Sequence, residues 1–476
     1  MKRLSATIVL AISLSLCCVF AQARQETIRI GMDPGDETVE LNPYTASDSN
    51  SIVIMQNLYD GLYSYDGATS EAVYALAQSH EVSEDSLSWT FHLKDASFSD
   101  GRPITSHTFV ESWNYLMDGP LASNLEFVQR NEDGSLFLET PDEHTLVVHL
   151  DHAVAYLPSL LCQPCLAAIK DTSSYSGAYV LKSQTDASIV LARNPRYWDE
   201  VRNDRIEIVL GEDFDQAFAD GDIQWSMAAV NDAGDYMVLS KLYATTFFYF
   251  NTKTGAYSNE NTRKALISLI PWDIIRYMQG TLMESDSLVP RSSAEAPAET
   301  GTLELLSKAG YPYGYGLPMI DMGITRGTQN AAVAELIAEI WSKTLGVTVA
   351  LNTVPLSVYA SDPSENPFDF CIITWIGDYL DPMAFLGMFE SSSPFNLAGY
   401  SNESYDAVIA LAQNADEDTR AGLLLEAEQM LLDSGVVIPL STAFATNFVR
   451  TDLLDGWTTN PLDIHPFKDL KPTKTL

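Results

Sequence analysis

Residues 333–354, VAELIAEIWSKTLGVTVALNTV, carry both periodicities of a mixed α/β fold within one segment. Val333, Leu336, Ile337, Ile340, Trp341 and Leu345 recur at the three- and four-residue spacing that lays apolar side chains along one face of a helix. Gly346 ends that stripe, and Val347–Val354 continues as a strand-like run. Moving outward, Asp369–Thr374 and Val436–Leu440 are further strand-like runs. Leu423, Leu424, Ala427, Met430 and Leu431 form a second helical stripe, ended by Gly435. Helix alternating with strand predicts an α/β domain with a mixed sheet in the C-terminal half. Upstream the character changes. Trp89, Phe91 and Leu93 alternate with Ser88, Thr90, His92 and Lys94, the signature of a half-buried strand. Ser106 is placed to cap a helix whose Phe109, Val110, Trp113, Leu116 and Met117 share one face. Residues 60–170 therefore read as a separate α+β unit. Ile189–Leu191 and Phe247–Phe250 add strands, and Ser292–Thr302 reads as a surface loop.

The whole chain, 476 residues, is too long for one core and predicts two or three domains. Apolar residues make up 46%, enough to fold throughout. Against 27 Lys and Arg stand 64 Asp and Glu, a net charge of −37. That field repels phosphate backbones and excludes nucleic acid as a partner. Lys2 and Arg3 precede an apolar run to Phe20 and then Ala21-Gln22-Ala23, the layout of a signal peptide covering 1–23. Cys17 or Cys18 offers a lipid-anchor alternative. Export places the protein in the periplasm or cell envelope, where Cys162 and Cys165 could close a small disulfide.

Chemistry is absent from the motifs. The sequence holds no G-x-S-x-G elbow, no H-E-x-x-H and no phosphate loop. Lys253-Thr254-Gly255 lacks the Ser-x-x-Lys partner that would give it meaning. His144, His149 and His152 fit a strand with surface histidines better than a metal site. The chain is therefore expected to be a non-enzyme with no cofactor and no metal.

Several phrases resemble the oligopeptide- and dipeptide-binding proteins of ABC importers, the family 5 extracellular solute-binding proteins. They are Leu41-Asn42-Pro43-Tyr44 with Asn57-Leu58-Tyr59-Asp60-Gly61-Leu62; Ser88–Leu93 with Phe98-Ser99-Asp100-Gly101-Arg102-Pro103; Gly177-Ala178-Tyr179; Arg193-Asn194-Pro195-Arg196-Tyr197-Trp198-Asp199; Asn251, Arg263 and Ala265; Trp375–Pro382; and Asn460–Phe467. They occur in family order from Leu41 to Phe467. The resemblance implies a periplasmic-binding-protein-like fold of two hinged α/β lobes with mixed sheets and an inserted α+β domain. Lobe I would comprise 24–59, 172–275 and 446–476, domain II 60–171, and lobe III 276–445.

It also implies a site. Asp378 occupies the position whose carboxylate receives a peptide's α-ammonium. Trp375, Ile376 and Gly377 would pair with the peptide backbone on one side, and the segment at Asp48 and Ser49 on the other. Asn251 completes the expected ligand-binding set. The family's basic residues for the peptide carboxylate have no counterpart in Ser361–Pro367 or Asp369–Thr374. The expected partners are a peptide, met by a monomer, and the permease subunits of the importer. Two alternatives stay open: a different amine-bearing solute, and a sensory or scaffolding role without transport.

Overall fold

The computed structural model describes residues 27–35, 38–46, 48–253, 255–279, 285–290, 301–324, 328–353, 367–393 and 395–473. The signal-peptide segment and nearly all of Ser292–Thr302 lie outside them. Among these residues no helix is long and apolar enough to cross a membrane.

One ten-stranded sheet runs through both lobes. Its order is Tyr179–Gln184, Ser188–Arg193, Arg205–Leu210, Thr27–Met32, Trp225–Ser226, Val437–Val449, Met237–Phe250, Phe370–Ile376, Ile320–Ile324 and Val349–Thr353. Parallel and antiparallel pairs are mixed. Two long antiparallel neighbours, Met237–Phe250 and Val437–Val449, cross from one lobe to the other. Their register shifts between Lys241 and Thr245, where the ladder bends.

The run Phe247-Phe248-Tyr249-Phe250 shows how sequence makes lobe III. Successive strand side chains point to opposite faces, so a strand covered on both sides must be apolar throughout. Phe247 and Tyr249 pack with Cys371, Ile373 and helices Glu403–Gln413 and Glu417–Asp433. Phe248 and Phe250 pack with Phe370, Ile372, Trp341 and helices Glu260–Ile267 and Thr328–Leu345. Trp341 is fully buried, and its indole donates to the Leu266 carbonyl at 3.0 Å. Residues within 247–275 therefore pack in the same cores as residues of the expected lobe III, 276–445, because the crossing strand Met237–Phe250 serves both lobes.

Residues from Leu62 to Ala168, joined by Leu462, form a further core around a four-stranded antiparallel sheet and helix Ser106–Leu116. That helix is capped by Thr105 in a capping box with Thr108, not by Ser106. Ser106 is buried one residue inside and donates to the Asp142 carbonyl at 2.6 Å.

Candidate ligand-binding site

The segment Trp375–Pro382 leaves the end of strand Phe370–Ile376 and carries the strongest site candidate. It is anchored from every side. The Trp375 indole donates to the Ala384 carbonyl at 3.0 Å. The Gly377 N–H donates to the Tyr243 carbonyl at 2.9 Å. Asp381 accepts the Met383 N–H at 2.9 Å, opening the short helix Met383–Leu386, and both its oxygens accept from Arg420 at 2.9 and 2.7 Å. Asp381 and Arg420 are about 15% exposed, so this fork is a largely desolvated ion pair.

Domain II docks on this segment. Tyr156 stacks on Tyr379 with ring centroids 4.6 Å apart and planes 5° apart. Arg420 lies 5.9 Å from the Tyr156 ring centre, and the Tyr65 hydroxyl donates to the Asp378 carbonyl at 2.8 Å. Tyr65, Tyr156 and Arg420 carry no local sequence signal, since nothing in a short stretch marks a side chain that meets a distant segment; Asp381 belongs to the quoted Trp375–Pro382 phrase.

Asp378 is an exposed residue, although protein atoms crowd around its carboxylate. Loss of bulk solvent pushes its carboxyl up to about 6, and no positive side chain among the described residues offsets that. Its carboxylate accepts no hydrogen bond among the described residues. Asp60 makes the contrast. Burial pushes it to about 6 as well, but it is met by the Trp198 indole at 2.8 Å and so is a satisfied structural carboxylate. The neighbouring thiols are free: Cys162 points at the Pro158 carbonyl and Cys165 at the Gln163 amide oxygen, so the possible disulfide is not formed. Burial, with the Asp378 charge adding, pushes the Cys165 thiol up to about 12, which leaves it protonated and unreactive at neutral pH.

The register refines the other expected contacts. In an antiparallel ladder, opposed residues alternate between bonded and non-bonded pairs. With Gly377 bonded to Tyr243, Trp375 bonds to Thr245, and both turn their backbone polar groups toward the crossing strand. Thr374 and Ile376 face the other way. Pairing with Ile320–Ile324 stops at Ile372, and among the described residues no strand covers the edge beyond it. Among the described residues the uncovered backbone edge thus belongs to Thr374 and Ile376, while Trp375 and Gly377 turn toward the crossing strand. Ile376 is 40% exposed along it.

Asp48 is the N-cap of helix Ser49–Leu58, its carboxylate accepting the Ser51 N–H at 2.9 Å. Ser49 is exposed at the first position, with its N–H outside the intrahelical ladder. No contact among the described residues joins either to Asp378. Asn251 lies apart from Asp378. Its N–H donates to the Asp369 carbonyl and its side chain accepts the Lys253 N–H, a turn at the opposite end of the strand from Asp378. At about 3.3 Å per residue, nine residues separate the two ends by roughly 30 Å.

A family model described as bacterial extracellular solute-binding proteins, family 5 middle, matches residues 71–396, more than half of the sequence. The chain belongs to that family. Family 5 members are binding proteins. Among curated relatives, the dipeptide-binding protein DppE of Bacillus subtilis is 24% identical over 461 residues, covering 85% of each chain. The periplasmic oligopeptide-binding protein OppA of Salmonella typhimurium is 25% identical over 468 residues, again 85% of each. The solved structure of Haemophilus influenzae OppA in complex with the peptide RPPGFSPFR superposes with a TM-score of 0.81 at 22% identity, covering 95% of this chain and 99% of that one. This family 5 chain therefore has the two-lobed fold of the OppA-type periplasmic binding proteins.

One glycine in the site admits no side chain. A Cβ on Gly377 would lie 2.8 Å from the Tyr243 ring and 3.1 Å from that of Phe385, which pack edge to face. Gly377→Ala is expected to cost about 1–3 kcal/mol through overpacking, measurable as a lowered midpoint in urea unfolding.

Proposed function

We propose that this protein is the substrate-binding component of an ABC-type peptide importer, exported to the periplasm or cell envelope and acting as a monomer. It captures a peptide between lobes I and III and presents the loaded form to the permease. One observation carries the reading: the exposed Asp378 carboxylate, crowded by protein, has no cationic partner among the described residues. A peptide α-ammonium supplies the missing charge and three donors. Next to it, the free edge at Thr374 and Ile376 offers backbone groups to an extended chain, so the peptide adds as a strand without any demand on its side chains. The N–H groups at the start of helix Ser49–Leu58 are the candidate second rail. Relatives named for dipeptides and oligopeptides support the class.

The test is calorimetry of the mature protein with tripeptides bearing a free or an acetylated N-terminus, alongside mass spectrometry of what co-purifies. Binding of free-amine peptides, with acetylated versions much weaker, is the expected result. A co-purifying solute that lacks an amine would overturn the assignment. A non-peptide amine would retain the role of Asp378 and replace the substrate class.

A further inference from the structure

Tyr65 ends the short strand Tyr63–Tyr65 of domain II and is 6% exposed. Its hydroxyl lies 3.0 Å from the Ser159 carbonyl and 2.8 Å from the Asp378 carbonyl. A phenol has one proton to give, so these two acceptors share it. They differ in where they belong. Ser159 is in domain II with Tyr65, whereas Asp378 is in lobe III. The bond to Ser159 can persist whatever lobe III does, and the bond to Asp378 exists only when domain II is docked on it. Parting the domains therefore orphans no buried donor, because the hydroxyl falls back wholly on Ser159. The Tyr156–Tyr379 stack beside it fixes the same interface.

We propose that Tyr65 is a positioning residue for ligand recognition: its hydroxyl pins the Asp378 backbone when domain II and lobe III meet, aiming the carboxylate at the ligand's amine and tying amine recognition to lobe closure. The inference rests on the reading that Asp378 meets an amine. It gives the inserted domain a share in selectivity without any contact to the ligand.

Tyr65→Phe keeps the buried ring and removes only the hydroxyl, and calorimetry with trialanine and N-acetyl-trialanine provides the readout. The free-amine peptide is expected to lose about ten-fold in affinity while the acetylated one is unchanged, so discrimination narrows. Equal weakening of both would make the hydroxyl a packing element, and no change in either would leave it without a role. Both results overturn the proposal. Asp378→Asn, measured in parallel, separates the two levels. If it abolishes discrimination while Tyr65→Phe preserves it in full, the Tyr65 assignment alone falls. If Asp378→Asn leaves discrimination intact, the amine reading falls first.

Discussion

Asp378→Ala is expected to weaken binding of free-amine peptides by about ten- to a hundred-fold. Asp378 is exposed, so the lost charge-assisted hydrogen bond counts for about 1.5–3 kcal/mol and not for the larger cost of breaking a buried ion pair. Calorimetry at pH 7 measures it, with acetylated peptides as the control whose weak affinity should not change. The pH dependence carries an independent sign. Crowding by protein pushes the Asp378 carboxyl up to about 6. Protons therefore compete with the amine, and affinity should fall as pH drops through about 6 while the ligand amine stays charged. Folding responds the opposite way. A carboxyl whose folded pKa lies above its unfolded value binds protons more readily when folded, so this group stabilises the ligand-free protein as pH falls from about 6 towards 4. Affinity and this contribution to stability should move in opposite directions over one window. A flat affinity profile between pH 7 and 5 would sink the assignment.

Arg420→Ala is expected to be the largest stability effect in the site, about 3–5 kcal/mol in urea unfolding. The mutation strips Asp381 of both guanidinium bonds while leaving its carboxylate about 14% exposed. Arg420→Lys should recover only part, since an ammonium cannot reproduce the two-point fork. The double variant Asp381→Ala, Arg420→Ala should cost clearly less than the sum of the single changes, because it leaves no stranded charge. Additive losses would mean the pair is not coupled. Tyr156 lies over Arg420 and stacks on Tyr379, so the single variant should also loosen domain II from lobe III.

The contrast between Gly377 and Asn251 shows how much of the site was legible. The phrase Trp375–Pro382 singled out Asp378 for its proposed role, because that motif is local and its residues stay together in space. The same phrase could not tell which backbone groups are free. That depends on register against Met237–Phe250, set by a partner strand more than a hundred residues away, and it moved the open edge to Thr374 and Ile376. Asn251 matched a family phrase, yet lies about a strand's length from Asp378. The cysteine spacing likewise permitted a disulfide, but the direction of each side chain, fixed by the turn at Pro164, decided for two free thiols.

Apolar periodicity and glycine stops by themselves determined the α/β class, and the family phrase singled out Asp378 for the role proposed above. Those signals are local, and each element announces its buried face in its own spacing. Tertiary structure alone decided which strand edge stays uncovered among the described residues and which tyrosine reaches the Asp378 carbonyl. These are relations between segments far apart in the chain, fixed by strand register and by packing across the sheet. No single stretch of sequence contains them.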